Sequence, residues 1–291
     1  MKINKWIAKG QYHAYKGHNI FYIYENHQAP KTILFIHGFP TCSWDWAKIW
    51  TRLGTKYNLL TLDMIGYGMS DKPYDYEYSI VDQAVLILDL LKKIELKDLY
   101  IFAHDYGDSV AQEILYRTLD PKKHNIEWLQ VHKICFLNGG MFPDVYYPKF
   151  IQKLLLSPLG GFVTHFLTKR TLHQNFKDIF GKNTQPTQEE IDVFWDMMNR
   201  KGGRKIVHKI IQYLHERKRE LGRWVKAMQA TNIPLRLIDG AVDPISGRHM
   251  AERYIELIPN PDVIILDEIG HYPNVEAPDE VLQHFLEFIE A

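Results

Sequence analysis

Eight short segments of the chain have the hydrophobic patterns of β-strands. Six of them are continuously apolar, which is typical of strands buried on both faces of a parallel sheet. The two earliest, the second of which alternates around β-forming residues, predict an antiparallel hairpin at a sheet edge. The predicted hairpin strands are 11–15 and 19–25, and the predicted buried strands are 32–36, 58–62, 99–103, 134–137, 235–238 and 263–266.

Helical patterns lie between the buried strands. In the clearest one, Ile80, Ala84, Ile87 and Leu91 recur at a spacing that places them on one face of a helix. Strands that alternate with helices predict the α/β class. We therefore expect a mostly parallel, eight-stranded sheet with helices on both faces.

One stretch, residues 139–230, interrupts this alternation between two consecutive strands. It is rich in helix-forming and aromatic residues and contains helix breakers such as Pro158 and Pro186. We interpret it as a helical cap inserted into a main domain made of residues 1–138 and 231–291. The stretch carries 16 Lys and Arg against 8 Asp and Glu, a formal charge of +8 that the rest of the chain cancels.

The composition is that of an ordinary globular protein of 291 residues, 46% of them hydrophobic. Because 35 basic and 35 acidic residues balance, we expect no nucleic-acid partner. No apolar stretch approaches the roughly 20 residues that span a bilayer, and no signal peptide is evident. We therefore expect no membrane partner, a cytoplasmic location and a monomer or homodimer. The chain has no metal-ligand motif and no complete dinucleotide fingerprint, so we expect neither metal nor cofactor.

The predicted strand 99–103 is followed directly by His104, Asp105, Tyr106 and Gly107, and then by a helix. Small residues on either side of a nucleophile, between a strand and a helix, form a nucleophile elbow, in which the nucleophile is usually serine. Here Asp105 occupies the nucleophile position. The alternative interpretation is that Asp105 caps the N-terminus of the helix.

Three other strand ends carry polar or backbone groups that fit such a site. The segment from His37 to Phe39 follows strand 32–36, Asp243 follows strand 235–238 and His271 follows strand 263–266. Parallel strands end at the same edge of a sheet, so these groups are expected to meet. The chain order is that of nucleophile, acid and histidine in hydrolases of this type. The alternatives are a turn residue for Asp243 and a surface residue for His271.

These motifs resemble those of the α/β-hydrolase superfamily, in its aspartate-nucleophile branch of epoxide hydrolases and haloalkane dehalogenases. The resemblance covers nearly the whole chain. It implies a catalytic triad of Asp105, His271 and Asp243, with the backbone N–H groups of Phe39 and Tyr106 as the oxyanion hole. It also implies that the substrate is a small, largely apolar molecule.

An aspartate nucleophile suits attack on a saturated carbon. A serine would be left as a stable ether, whereas a carboxylate forms an ester that water can cleave. In this scheme Asp105 forms an alkyl-enzyme ester, and His271, oriented by Asp243, then activates the water that hydrolyses it.

The reaction class depends on the residues around the nucleophile. Haloalkane dehalogenases usually bind halide with a Trp after the nucleophile and an Asn or second Trp elsewhere, but this chain has Tyr106 and Phe39 at those places. Epoxide hydrolases use two cap tyrosines, for which Tyr146, Tyr147 and Tyr213 are candidates. Aromatic packing is the alternative role for these three.

Further candidate pocket residues are predicted with alternatives. His37 and His104 flank the site but are also expected to bind loop backbone, and Asn138 is a turn or pocket residue. Trp224 is a candidate pocket residue, although both Trp224 and Trp195 fit the core better.

The basic run at residues 217–219 is flanked by Glu216 and Glu220, which predicts a solvated helix face. It is therefore not interpreted as part of a binding site.

An epoxide hydrolase-like enzyme is the leading hypothesis, and a haloalkane dehalogenase with the same triad is the second. The third is a non-catalytic binding protein that retains the hydrolase scaffold, because a fold does not determine a function.

Overall fold

The computed structural model describes residues 1–291 and is built on one eight-stranded sheet. The spatial order of its strands is β1-β2-β4-β3-β5-β6-β7-β8. β1, β2 and β4 pair antiparallel, and all other neighbours pair parallel. The strands are β1 (Gln11–Tyr15), β2 (His18–Glu25), β3 (Thr32–Ile36), β4 (Asn58–Leu62), β5 (Asp98–His104), β6 (Gln130–Leu137), β7 (Leu235–Gly240) and β8 (Asp262–Leu266).

The strands form where the hydrophobic pattern predicts them. β3 and β4 are buried at every position, as continuous apolar runs require. β1 and β2 form the predicted edge hairpin, joined by Lys16 and Gly17 with φ of 48° and 81°. Two consecutive positive φ values are typical of the tight hairpin turn that matches the twist of paired strands.

Helices cover both faces of the sheet and enclose two hydrophobic cores. Alternate residues of β3 show the two sides: Leu34 and Ile36 belong to one core, and Ile33 and Phe35 to the other. The helices outside residues 139–230 are α1 (Ile3–Ile7), α2 (Ala47–Leu53), α3 (Ile80–Lys93), α4 (Tyr106–Thr118), α11 (Arg248–Leu257), α12 (Pro273–Glu276) and α13 (Pro278–Glu290).

Every regular element between β6 and β7 is helical, and we call residues 139–230 the cap segment. Its helices are α5 (Phe150–Leu156), α6 (Gly160–Val163), α7 (Lys169–Ile179), α8 (Gln188–Asn199), α9 (Val207–Ile210) and α10 (Tyr213–Ala230), with 3₁₀ turns at Thr164–Phe166 and Arg200–Ile206. None of the helices in the chain combines the length and apolar character needed to cross a membrane.

Candidate active site

The elbow after β5 holds Asp105 in a strained conformation. Asp105 has φ 49° and ψ −106°, which a residue with a side chain rarely adopts. Helix α4 starts at the next residue and approaches β3 so closely that a Cβ on Gly107 would lie 2.5 Å from the backbone oxygen of Ile36. The short turn and the glycine therefore place the Asp105 side chain at the carboxyl edge of the sheet.

Asp105 does not act as a helix cap, because its side chain accepts no hydrogen bond from the first turn of α4. Its Oδ2 instead accepts a hydrogen bond of 3.0 Å from the backbone N–H of Phe39, in the loop after β3. The N–H of Tyr106, at the start of α4, is one of the helix N-terminal groups that have no partner within the helix. Asp105 is thus held at the position where an elbow nucleophile lies.

His271 and Asp243 form a close pair beside Asp105. Nδ1 of His271 lies 2.7 Å from Oδ2 of Asp243, and Nε2 of His271 lies 4.0 Å from Oδ2 of Asp105. All three side chains are buried. The structure therefore brings the predicted nucleophile, histidine and acid together, although the strand ends that carry them are far apart in the chain.

The pKa of His271 is set by opposing effects. Burial lowers it, but attraction to the Asp243 carboxylate, the hydrogen bond between the two and attraction to Asp105 outweigh burial and raise the pKa to about 9. Burial raises the pKa of Asp243. Attraction to His271 and hydrogen bonds from His271, Ile245 and Ser246 lower this pKa by more, so the net shift is downward. Both shifts favour the charged forms, a carboxylate on Asp243 and an imidazolium on His271.

Asn138 supports this pair rather than lining a substrate cavity. Its Nδ2 donates to the backbone oxygen of Gly240 at 3.1 Å and to Oδ2 of Asp243 at 3.2 Å, and its Oδ1 accepts from Gly240 N–H at 2.7 Å. Ser246 adds a hydroxyl hydrogen bond of 2.9 Å to the same Asp243 oxygen. Of its two predicted roles, turn or pocket residue, Asn138 has the first, with φ 41°, and its amide orients the acid.

His37 and His104 likewise lie behind the site. Nε2 of His37 accepts from the backbone N–H of Met64 at 3.1 Å, and Nε2 of His104 lies 2.7 Å from the backbone oxygen of His271. Burial, followed by repulsion from His271, lowers the pKa of His104 to about 4. Both histidines hold loop backbone, and neither lines the cavity described below.

Arg217 is the residue at this site that the sequence analysis missed. Its Nη2 donates to the backbone oxygen of Asp105 at 3.0 Å and lies 3.5 Å from Oδ1 of Asp105. Its Nε donates to the hydroxyl of Ser109 at 2.7 Å. The whole side chain is buried. A cation from the cap segment therefore contacts both the backbone and the carboxylate of the elbow residue.

The prediction of a solvated face at 217–219 holds for Lys218 and Arg219 but is wrong for Arg217 and Glu216. Glu216 accepts hydrogen bonds from the first N–H groups of α3, at Ile80 and Val81. A periodicity signal was present, because Tyr213, Arg217, Trp224 and Met228 share the buried face of α10. The flanking Glu216 and Glu220 indicated a solvated face instead, so this periodicity was not used.

A mainly apolar cavity opens over Asp105 and His271, with 13 hydrophobic residues among the 21 that line it. Asp105 and His271 both contribute to its wall. Aromatic residues of the lining include Phe39, Phe176 and Tyr272. An apolar lining with a few polar groups is typical of a site for a small organic molecule.

Of the predicted cap aromatics, only Tyr146 lines this cavity. Tyr147 is 56% exposed and lies against His249, outside the cavity. Tyr213 is buried, with its ring 4.8 Å from that of Tyr106. Neither residue lines the cavity, and Tyr213 has the alternative role of aromatic packing, against Tyr106 and Phe39.

Trp224 has the core role that the sequence favoured for both tryptophans, whereas Trp195 lines the cavity. Trp224 is buried away from the cavity and donates from Nε1 to Glu113 at 2.8 Å, so its prediction as a pocket residue is wrong. Trp195, expected in the core, lines the cavity. The sequence pattern places both on helices but does not show which way the helices face.

The fold and this arrangement define a class of protein. Residues 33–284 match the alpha/beta hydrolase family, so the chain belongs to the α/β-hydrolase family and is a hydrolase of that fold. This confirms the superfamily resemblance of the sequence motifs. The mesoderm-specific transcript protein of Mus musculus is 35% identical over 300 residues, which cover 99% of this chain and 88% of the mouse protein.

Two solved structures of known enzymes are similar in fold. The haloalkane dehalogenase DatA from Agrobacterium tumefaciens C58 has a TM-score of 0.80 at 21% identity, covering 97% of this chain and 96% of its own. The epoxide hydrolase CorEH has a TM-score of 0.77 at 17% identity, covering 97% and 98%. At these identities the likeness is one of fold, and it does not distinguish the two reactions.

Proposed function

We propose that the chain hydrolyses its substrate through a covalent ester on Asp105, and that the substrate is an epoxide on a small or medium apolar molecule. The observation that supports this proposal most strongly is the buried carboxylate of Asp105, which is held at a strained elbow beside the pair of His271 and Asp243. No cofactor takes part in the proposed reaction.

In the first step a carboxylate oxygen of Asp105 attacks an epoxide carbon, and the bond from that carbon to the ring oxygen breaks. The leaving oxygen becomes an alkoxide unless a proton reaches it. An acid close to the nucleophile therefore lowers the barrier, typically by a factor of about 10² to 10⁴.

Tyr146 is suited to supply that proton. It lines the same cavity as Asp105, and its hydroxyl oxygen accepts a hydrogen bond of 3.0 Å from Nε2 of Gln152. The hydroxyl proton of Tyr146 is thereby left to donate to the substrate. Burial raises the pKa of Tyr146, which keeps the phenol protonated until the alkoxide forms.

In the second step His271 takes a proton from water, and the resulting hydroxide attacks the carboxyl carbon of Asp105. Formation of the ester removes the negative charge of Asp105, which is one of the effects that raise the pKa of His271. His271 therefore becomes a more available base at the stage that needs one. Asp243 keeps its Nδ1 protonated and leaves Nε2 free to accept.

The tetrahedral intermediate of the second step carries negative charge on a carboxyl oxygen of Asp105. The N–H of Phe39 already donates to Oδ2 in the resting enzyme, and the N–H of Tyr106 is the second candidate donor. A single donor of this kind contributes about 3 kcal/mol to the transition state in comparable sites. Collapse of the intermediate breaks the bond to the alkyl oxygen, and the imidazolium of His271 protonates that oxygen, which releases the diol. The proton left on the carboxyl group of Asp105 returns to the phenolate of Tyr146, which restores both residues.

Halide displacement is less well supported by the residues around Asp105. The resemblance puts the halide-binding N–H groups on the side chains at the positions of Phe39 and Tyr106, and neither side chain carries one, while the backbone N–H of Phe39 is occupied by Asp105. Trp195, whose indole carries an N–H, also lines the cavity, but it lies on α8 and not beside Asp105 in the chain. The observation that favours the epoxide is the Tyr146 hydroxyl in the cavity lining.

Single turnover in ¹⁸O-labelled water tests the covalent route. We expect the label in the elbow peptide that contains Asp105 and not in the product, with the Asp243 peptide as the internal unlabelled control. Label in the product with an unlabelled Asp105 would show that water attacks the substrate directly, and the proposal would be wrong. Parallel assays for diol from epoxides and for halide from alkyl halides separate the two reactions.

A further inference from the structure

The cap segment carries an apolar surface that no other part of the chain covers. We call it the cap patch and define it as Phe150, Leu159, Phe162 and Phe166. Their exposures are 74%, 67%, 63% and 63%, which are the four highest among the large hydrophobic residues of the chain. The others that are exposed range from 43% to 56% and include Tyr12 and Ile255.

Local geometry brings three of the patch residues together, and Phe150 lies on the neighbouring helix. Leu159, Phe162 and Phe166 are spaced i, i+3 and i+7 along α6 and the 3₁₀ turn that follows, which puts them on one side. The ring centres of Phe162 and Phe166 are 5.1 Å apart. Helix α5, which starts with Phe150, packs directly against α6.

The same helices have a separate buried side. Leu155, Gly160 and Thr164 are buried between the elements of the cap segment. The cap patch is therefore not a poorly packed core but a second apolar face, directed outward. Contiguous exposed apolar surface of this kind typically marks an interaction site.

The charge of the chain segment that contains the patch indicates what it binds. Residues 145–177 contain five Lys and Arg and no Asp or Glu. Lys149 and Lys169 pair with acidic residues of neighbouring helices. Lys153, Arg170 and Lys177 are exposed and have no acidic partner within 4.0 Å, so their charge is available to an external anion.

We infer that the cap patch docks on the surface of an anionic lipid bilayer. Large apolar side chains in a basic segment of the chain are the combination that inserts at the boundary of head groups and acyl chains. Each basic residue near an anionic surface adds attraction that salt weakens. This inference differs from the sequence-based expectation of no membrane partner, which considered only membrane-spanning segments.

A second copy of the chain is the alternative occupant, and the charge argues against it. A symmetric dimer would bring the same patch of both copies together. The unpaired Lys153 and Arg170 of each copy would then face those of the other, with no acid within residues 145–177 to oppose them. Like charges placed this way oppose association.

Docking would also have a consequence for substrate entry, which rests on the proposed function, whereas docking itself does not. The segment that carries the patch supplies part of the cavity lining, including Ile151, Leu155, Leu167 and Leu172. An apolar substrate dissolved in the bilayer would thus meet the cavity through the same helices. Activity on such a substrate is expected to rise when anionic vesicles are present.

Co-sedimentation of the full chain with phosphatidylcholine vesicles, with and without phosphatidylserine, tests the inference. We expect binding to the vesicles that contain phosphatidylserine and weaker binding at high salt. The double variant Phe162→Ser/Phe166→Ser should bind roughly tenfold more weakly, because two apolar anchors are lost. Ile255→Ser, at an exposed site on α11, is the matched control and should bind like the unaltered chain.

The double variant Lys153→Glu/Arg170→Glu tests the contribution of the basic residues. Its affinity for the anionic vesicles should also be about tenfold lower. The inference is overturned if the unaltered chain ignores anionic vesicles or if the Phe162 and Phe166 variant binds equally well. It is also overturned if light scattering shows a dimer that this variant converts to a monomer. Asp105→Asn should bind vesicles normally, so failure of the proposed reaction would leave this result unchanged.

Discussion

Arg217 contacts two groups of Asp105 through one nitrogen: its Nη2 lies 3.0 Å from the backbone oxygen and 3.5 Å from Oδ1 of the carboxylate. The arginine lies on α10 of the cap segment, and the aspartate lies at the end of β5 in the sheet. The cap segment is thereby linked electrostatically to the strained elbow. Because Arg217 is absent from the cavity lining, we regard it as a positioning residue for the proposed nucleophile.

Replacing Arg217 should therefore reduce kcat more than it changes KM. Arg217→Met removes the buried cation beside the Asp105 carboxylate. Breaking a buried ion pair in this way typically destabilises a protein by about 3–5 kcal/mol. Arg217→Lys keeps the charge but loses the forked geometry, so it should recover part of the stability and less of the kcat. Steady-state kinetics and denaturant unfolding measure these effects.

Arg219→Met, at an exposed position two residues further along α10, is the matched control and should leave both kinetics and stability unchanged. A rise in KM with unchanged kcat for Arg217→Lys would contradict the positioning role, because it would mean that the guanidinium binds the substrate.

His271→Gln should trap the ester intermediate. Attack by Asp105 needs no base, whereas hydrolysis of the ester does, so the second step alone should slow, by about a hundredfold or more. Intact-protein mass spectrometry should then show an adduct of the substrate mass. Asp243→Asn should slow the same step, because the imidazole loses the partner that sets its tautomer. An enzyme that turns over normally without His271 would exclude this mechanism.

Tyr146→Phe should distinguish the epoxide from the halide reaction. Loss of the hydroxyl removes the proposed proton donor, so kcat/KM for an epoxide should fall about a hundredfold, while any release of halide should change little. Tyr147→Phe provides a neighbouring control, since Tyr147 lies outside the cavity. Equal activity of the Tyr146 and Tyr147 variants on epoxides would argue against Tyr146 as the acid.

The rate of ester hydrolysis should increase with pH because His271 must be neutral to accept a proton. The resting pKa of about 9 includes attraction to the Asp105 charge. The ester lacks that charge, so the apparent pKa of the hydrolysis step should lie below 9. Single-turnover decay of the adduct as a function of pH measures it. A rate that falls as the pH rises through this range would contradict the role of His271 as a base.

Stability should show the opposite dependence on pH. The folded-state pKa of His271, about 9, lies above its ordinary value of 6.5, so folding favours the protonated form. The resulting stabilisation is complete below about pH 6.5 and is lost as the pH rises through 9. In Asp243→Asn, which removes the main attraction, the free energy of unfolding should decline less over this interval. Chemical denaturation at several pH values compares the two slopes.

The sheet and the elbow were predictable because their signals are local. Continuous apolar runs such as 32–36 encode burial on both faces, and the residues that follow each run lie at the carboxyl edge by topology. The sequence alone therefore identifies Asp105, Asp243 and His271 as candidate site residues. The distances of 2.7 Å and 4.0 Å among them confirm that they meet, while their catalytic roles remain a proposal.

The cavity wall was less predictable because it depends on side-chain direction. Tyr146 and Tyr147 are neighbours in the chain, yet one lines the cavity and the other is exposed. Trp195 and Trp224 occupy different helices with similar sequence signals. In each case the orientation follows from packing against distant elements, which local periodicity does not encode.

The sequence by itself determined the α/β-hydrolase fold and the residues at the ends of the strands, since hydrophobic periodicity and turn chemistry act over a few neighbouring residues. Tertiary structure alone decided that Arg217 is buried against Asp105 and that Asn138 supports Asp243. Those contacts span 112 and 105 positions of the chain. A polar residue can be buried at such a site because a specific partner compensates its desolvation, and that partner is present only once the chain has folded.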